Sequence, residues 1–341
     1  MRQLKILLRM LRNRFLSSDP ELRSEHTSFL DRIVFVLNFF PPYNYACCLW
    51  VMACARWMPR SGVALAISRS LMRRGLLYGA LRHLGPEDRN AFAKVALLPG
   101  LKAARPVPPV QPEARALAAE LARTGFVSLG SVITRDKAAA AVSYFRGQRG
   151  YASQTPMQSD GVLRPFDVDA PGQGLSERYF CFSCNTSLGC PQIAEVIDNP
   201  LIRQVAAAYL GFTPVLFGVN TIATVKGTGD HYVMRMHRDY DAFAAVTFFI
   251  YWTDVAADNG ATLYLPGTHV SSAAASAERA YLTGGAGQIF GLDTFGLHAG
   301  NRSVEGFRLA TWFRFGSGPN LATIQDPNLV PEYRQASLAV I

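Results

Sequence analysis

The chain has 341 residues, 49% of them hydrophobic and 17% charged, which is enough apolar material for one large core or two modest ones and excludes a disordered protein. Its formal charge of +9 sits at one end: residues 1–105 hold 17 Lys and Arg against 6 Asp and Glu, and the remainder holds 17 against 19. A channel for a polyanion needs its charge beside the chemistry, so nucleic acid is set aside as a partner, and electrostatic attachment through the basic end fits better.

The opening stretch, MRQLKILLRMLRNRF, predicts a basic amphipathic helix, with Leu4, Leu7, Leu8 and Leu11 on one face and Arg2, Lys5, Arg9 and Arg12 largely opposite. From Ile33 to Ala55 there is no charge, but Pro41 and Pro42 interrupt the run and Arg32 and Arg56 bracket it. A membrane span needs roughly 20 unbroken apolar residues, so a helical pair packed on the protein or lying on a bilayer is expected instead. Further basic helix signals run from Ser68 to Arg82. Residues 1–104 therefore read as a basic, amphipathic helical region, and amphipathicity alone leaves open a cap on the next domain or contact with a membrane surface. The run RPVPPVQP cannot extend a helix, so residues 105–113 form a proline-rich joint.

No cleavable secretory signal is visible, so the six cysteines, Cys47, Cys48, Cys54, Cys181, Cys184 and Cys190, are expected to be reduced in a cytoplasmic protein, free or peripheral at the inner face of a membrane. The single C-x-x-C step at Cys181 and Cys184 lacks the fourth ligand of a structural zinc site, and ordinary buried thiols are expected.

Residues 114–320 are expected to form the main domain, with a tail over 321–341. The segment PEARALAAELART predicts a helix with Ala114, Leu117 and Leu121 on one side; Gly125 breaks it, an alternating strand follows, and a second helix begins after Thr134. From Asn220 onward come short β-rich runs, NTIATV, AAVTFFIYWT, ATLYLP, GQIF and FRLATWFRFG, separated by Gly, Asn, Asp and Pro. Many short strands without long intervening helices predict a mainly β fold, a double-stranded β-helix or jelly roll with flanking helices.

His237 and Asp239 stand two residues apart, so on an extended segment both side chains leave the same face and can share one metal. His298, just before another strand, supplies a third ligand from a different part of the sheet. Two imidazoles and one carboxylate with open positions suit iron(II) that must also bind a cosubstrate and dioxygen. Arg308, ten residues after His298, can aim a guanidinium into the barrel, where the far carboxylate of a metal-chelating dicarboxylate needs a bidentate partner. Thr247, on the strand after the metal pair, is a candidate second donor to that carboxylate.

The strings NTIATV, MHRDYD, IYWTDVAADNGATLYLPGTH, GQIFGLDTFGLHAGNRS and FRLATWF, in that order, resemble the phytanoyl-CoA dioxygenase family of 2-oxoglutarate oxygenases. The resemblance covers roughly residues 114–316. It implies that His237, Asp239 and His298 hold iron(II), that Arg308 anchors 2-oxoglutarate, and that Asn220 and Thr247 stand where the cosubstrate is often touched. It also implies that Asp258, Asn259, Gly260 and the Pro266–His269 segment close turns, so His269 is not a ligand. Asp239 occupies the position where related halogenases lack a carboxylate, which favours hydroxylation of a C–H bond using dioxygen. The implied partner is a lipid-linked or hydrophobic small molecule. A soluble tailoring oxygenase is the rival enzyme reading, and a catalytically inactive jelly-roll binding module the rival from another class.

Overall fold

The computed structural model describes residues 33, 37, 40–73, 76–153, 159–167, 179–225, 234–276, 278–301 and 306–317. The basic helix expected at residues 2–15 and the tail over 321–341 lie outside the described residues.

The chain's first described helix, α1 (Pro41–Arg56), begins at the two prolines that were expected to break the run. Proline suits the first helical turn because the N–H it lacks has no acceptor there. After it come α2 (Gly62–Arg73), a 3-10 turn (Tyr78–Arg82), α3 (Pro86–Phe92), a π turn (Ala93–Leu97) and α4 (Leu98–Ala104). These helices do not stand apart from the sheets. One hydrophobic core runs from Cys47, Val51, Cys54, Phe92 and Leu101 into Phe243, Phe248, Leu309 and Phe313. Phe243 packs against both Tyr78 and Phe92, at 5.4 and 5.1 Å between ring centroids. Among the described residues no helix is long and apolar enough to cross a membrane.

The proline-rich joint is tied down as well. Arg105 donates to the Ser317 carbonyl at 3.2 Å, and Thr213 donates to Arg105 and Pro106 carbonyls. Next, α5 (Pro112–Thr124) buries Ala114, Ala118 and Leu121 and ends at Gly125, which takes a left-handed φ of 89°. Only glycine fits there: besides the conformation, a Cβ would overlap the Tyr264 hydroxyl. The strand β1 (Phe126–Ser131) and helix α6 (Arg135–Arg146) come after it, the helix capped by the Thr134 side chain, which accepts from the Lys137 N–H.

Short strands β2 (Arg149–Tyr151), β3 (Leu163–Pro165) and β4 (Tyr179–Cys181) precede three helices, α7 (Cys184–Leu188), α8 (Pro191–Ile197) and α9 (Pro200–Leu210). The long β5 (Val215–Val225) and β6 (Ala245–Tyr251) come next, then β7 (Thr262–Tyr264), β8 (Ala280–Leu282), β9 (Gln288–Leu292), β10 (His298–Gly300) and β11 (Phe307–Gly316). An eight-stranded sheet has the order β1-β9-β6-β11-β5-β4-β2-β3, and a three-stranded sheet the order β10-β7-β8, with every pairing antiparallel. In the larger sheet β1, β9, β6, β11 and β5 are neighbours although none of them adjoins the next in sequence, which is the jelly-roll arrangement. Along β11 the pleat sends Leu309, Phe313 and Phe315 into the core shared with the helices. Arg308, Ala310, Trp312 and Arg314 alternate with these and face the space between the sheets. All six cysteines are buried and unbridged.

Candidate metal centre

His237 and His298 meet as a directly opposed antiparallel pair. Each backbone N–H donates to the other's carbonyl, at 2.9 and 3.0 Å, so both side chains leave the same face and the rings stand 4.4 Å apart. The expected extended segment is reduced to this one bridge. Residue 239 is held differently, by its own N–H donating to the Thr294 carbonyl at 2.8 Å. Arg238 turns to the opposite side, donates to the Thr268 and Phe295 carbonyls, and lies over the Phe295 ring.

The Asp239 carboxylate lies 3.8 Å from His237 Nε2 and 3.7 Å from His298 Nε2. One ligand atom from each residue falls within 4.8 Å of the other two, so the three can hold a metal ion; no second such group occurs among the described residues. The tautomers are set by the partners. Nδ1 of His237 faces the Arg235 carbonyl at 2.8 Å, and Nδ1 of His298 faces the Gly296 carbonyl at 3.0 Å. A carbonyl only accepts, so each Nδ1 carries the proton and each Nε2 offers its lone pair towards Asp239.

Burial pushes the His298 pKa down, outweighing the nearby Asp239 charge, and favours the neutral imidazole that a metal requires. For Asp239, burial pushes upward, but His298, His237 and Arg314 together hold the carboxyl below its usual range. Arg314 was not anticipated from the sequence. Its Nε donates to Asp241 at 2.8 Å, and its Nη2 stands 3.9 Å from Asp239.

Arg308 lies at the other end of the same inner face and is buried. Its guanidinium donates to the Gly260 carbonyl at 2.7 Å and to the Thr262 hydroxyl at 3.3 Å, with the Thr224 hydroxyl at 3.5 Å; Nε has no partner. Tyr251 and Trp312 flank it. The β10–β7 register relates this end to the metal group. Tyr264 is paired with His298 and Thr262 with Gly300, so the arginine's contact lies two residues further along, about 7 Å at the usual strand rise.

The other two expected cosubstrate residues fall at different places. Asn220 pairs with Trp312, between the two arginines and nearer Arg314, and its buried Oδ1 has no hydrogen-bond partner among the described residues. Thr247 pairs with Arg314 rather than Arg308, and its hydroxyl meets that of Thr294 at 3.3 Å. The hydroxyls beside the Arg308 guanidinium are those of Thr262 and Thr224. Thr224 lies in the recognised run NTIATV, but its pairing with Arg308 is a matter of register, and Thr262 reaches the guanidinium from the other sheet, so neither was assigned from the sequence. His269 is a turn residue, its Nε2 hydrogen-bonded to the Ala122 carbonyl at 3.1 Å.

Residues 135–284 match the profile of the phytanoyl-CoA dioxygenase (PhyH) family. Over this segment the chain is similar to the phytanoyl-CoA dioxygenases. The match includes His237, Asp239, Asn220, Thr247 and Thr262, while His298 and Arg308 lie beyond its end and are brought to it by the sheets. The chain is thus a 2-oxoglutarate-dependent, non-haem iron dioxygenase by class, an oxidoreductase. No curated protein matches the sequence.

Similar solved structures include SnoN, the non-haem α-ketoglutarate-dependent epimerase from nogalamycin biosynthesis, at 15% identity and a TM-score of 0.43, covering 60% of this chain and 80% of that one. HygX from Streptomyces hygroscopicus, with nickel and 2-oxoglutarate bound, is 14% identical with a TM-score of 0.42, covering 59% and 86%. ThoJ, a non-haem monooxygenase in a nickel complex, is 19% identical with a TM-score of 0.41, covering 59% and 76%.

Proposed function

We propose that the protein is an iron(II)- and 2-oxoglutarate-dependent hydroxylase in which His237, Asp239 and His298 hold the metal and Arg308 holds the far carboxylate of the cosubstrate. The observation that carries this reading is the buried Arg308 guanidinium, which among the described residues meets only neutral oxygens and leaves Nε unpaired. A buried cation without a counter-charge is costly. A dicarboxylate that reaches it from the metal, about 7 Å along the strand, supplies the missing charge. The donor set fits iron(II) on its chemistry: two imidazoles held by carbonyls at Nδ1 and one carboxylate leave part of the coordination sphere open.

Iron(II) with 2-oxoglutarate and dioxygen, when bound, supplies an oxidant through decarboxylation of the cosubstrate to succinate and carbon dioxide. The chain's own residues orient and exclude. Thr262 and Thr224 hold the Arg308 fork in place. Arg314 draws Asp239 towards one position by charge and is itself held by Asp241. The wall between the arginines is apolar, made of Ala310, Phe249 and Tyr251 with Trp312 packed against them.

Beside Trp312 a second apolar cluster of Ile222, Cys181, Tyr179 and Tyr151 adjoins this wall, which is in keeping with a hydrophobic small molecule as substrate. A lipid-linked substrate is the finer form of this reading, in keeping with the basic, aromatic-rich first hundred residues, and it puts the enzyme at the inner face of a membrane.

Anaerobic addition of iron(II) and then 2-oxoglutarate tests the assignment. A visible charge-transfer band should appear in the native protein, be absent in Asp239→Ala, and require far more 2-oxoglutarate in Arg308→Ala. A band of unchanged strength and midpoint in both variants would remove the residue roles. Succinate release against a panel of amphiphilic and soluble candidates then identifies the substrate class.

A further inference from the structure

The outer faces of α1 and α2 are chemically unlike ordinary solvent-facing helix surface. On α1 the exposed positions Pro42, Tyr45, Ala46 and Leu49 recur at helical spacing and carry no charge before Arg56. On α2 the exposed positions are Gly62, Val63, Ala66 and Ile67. The two helices lie side by side through their opposite faces: Trp50 Nε1 donates to Ser68 Oγ at 3.0 Å, and Cys54 Sγ lies 3.4 Å from the same oxygen. Their outward stripes are therefore left over after the core has been satisfied.

Among the described residues, eleven large hydrophobic side chains are exposed, and seven of them fall between residues 33 and 67. That concentration makes a patch rather than the scattered apolar residues of an ordinary surface. Trp57 is 77% exposed, Val63 73% and Leu49 66%.

Charge identifies what covers the patch. Between Asp31 and Glu87 the chain has seven arginines and no acidic residue; Arg56 is paired with Asp88, and the other six leave the stretch strongly basic. A second copy of the same face would bring like charges together, which opposes self-association. Residues 1–32, with seven basic side chains against four acidic ones, carry the same sign and are disfavoured as the cover. An anionic bilayer surface complements both properties, taking the apolar side chains into its interfacial layer and the guanidinium groups at its phosphates. Tyr45 and Trp57 are the residue types that settle at that depth.

We propose that the α1–α2 face, centred on Leu49, Trp57, Val63 and Ile67, is a docking surface for anionic phospholipid bilayers. The face is built from residues outside the metal centre, so its failure would leave the oxygenase reading standing.

The full-length protein is floated with vesicles of phosphatidylcholine alone and with one third phosphatidylglycerol. Binding should be at least tenfold stronger to the anionic vesicles at low salt and should fall as salt rises. The triple substitution Leu49→Glu, Val63→Glu, Ile67→Glu should weaken it tenfold or more while iron(II) and 2-oxoglutarate still give their charge-transfer band. Because such a variant can misfold, a second measurement uses the unsubstituted protein: brominated lipid should quench fluorescence, and the quenching should be lost in Trp57→Phe.

Protein that stays with the soluble fraction at low salt would overturn the proposal. So would vesicle binding that neither the triple substitution nor Trp57→Phe quenching reports, since another surface would then be responsible. A concentration-dependent dimer abolished by the triple substitution, without vesicle binding, would assign the face to a second copy instead.

Discussion

One arginine ties the first hundred residues to the metal centre, and its removal should be felt in both. Arg89 on α3 reaches Asp293 across more than two hundred residues of sequence, with contacts of 3.1, 3.2 and 3.3 Å, and its Nε donates to the Phe243 carbonyl at 3.1 Å. The two side chains are only 4% and 5% exposed. Phe243 lies four residues after Asp239, and Asp293 five before His298, so one guanidinium clasps both segments that carry metal ligands. Replacing it in Arg89→Met leaves a buried carboxylate with only the Tyr209 hydroxyl, at 2.8 Å, and the Phe295 N–H, at 3.0 Å.

Removing one partner of a buried pair costs about 3–5 kcal/mol. The two remaining donors argue for the lower end, about 3 kcal/mol, which is a large share of a typical stability of about 5–15 kcal/mol. Urea denaturation measures it. The double variant Arg89→Met, Asp293→Asn should recover much of the loss, because no charge then stays buried.

The deficit should also depend on pH. Burial pushes Asp293 upward, but Arg89 outweighs it and holds the folded carboxyl below its ordinary value of 3.8. A depressed folded pKa gives stability that is present above the unfolded value and lost as pH falls through the folded one. Without Arg89 the burial effect prevails, so the variant takes up a proton on folding and its deficit narrows as pH falls from about 7 towards about 4.5. A loss below about 1 kcal/mol, the range of a surface pair, would refute the reasoning, as would a deficit unchanged across that pH interval.

His237→Ala, Asp239→Ala and His298→Ala should each abolish iron-dependent turnover and high-affinity metal binding by calorimetry, with little change in circular dichroism, since the core does not include them. Arg308→Ala should weaken 2-oxoglutarate by about 3 kcal/mol, roughly a hundredfold, with iron affinity nearly unchanged, and Arg308→Lys should restore only part, because one ammonium does not reproduce the bidentate fork. Equal loss of both affinities would make Arg308 structural. Gly296→Ala should lower both stability and metal affinity, because its Cβ would overlap the Tyr264 hydroxyl that donates to the Asp293 carbonyl beside the ligand-bearing turn; thermal unfolding and metal titration together check it. Deleting residues 1–104 should yield insoluble protein, because it uncovers Phe243 and Phe248 and strands Asp293; a soluble barrel that binds iron would contradict the shared core.

The features legible in the amino-acid order are those whose signal is local. Strand alternation located β5, β6 and β11, glycine and the Thr134 cap marked the end of α5 and the start of α6, and the ordered strings around His237, Asp239 and His298 pointed to one iron site and its family. The charge asymmetry is equally local, being a matter of counting.

Three-residue strands such as β2, β4 and β10 were not legible, because a run that short carries no periodicity of its own and exists only where a longer neighbour supplies hydrogen bonds. Folding alone brings about the exchange of backbone hydrogen bonds between His237 and His298, since their opposition depends on how two distant segments meet. It paired Thr247 with Arg314 and brought Thr262 to Arg308, because register within a sheet and proximity between sheets are not written in spacing along one strand. The place of the described first helices was settled in the same way: amphipathicity marks a face that must be covered, whereas the Arg89–Asp293 pair and the Phe243 contacts show which face the barrel covers and which it leaves outward.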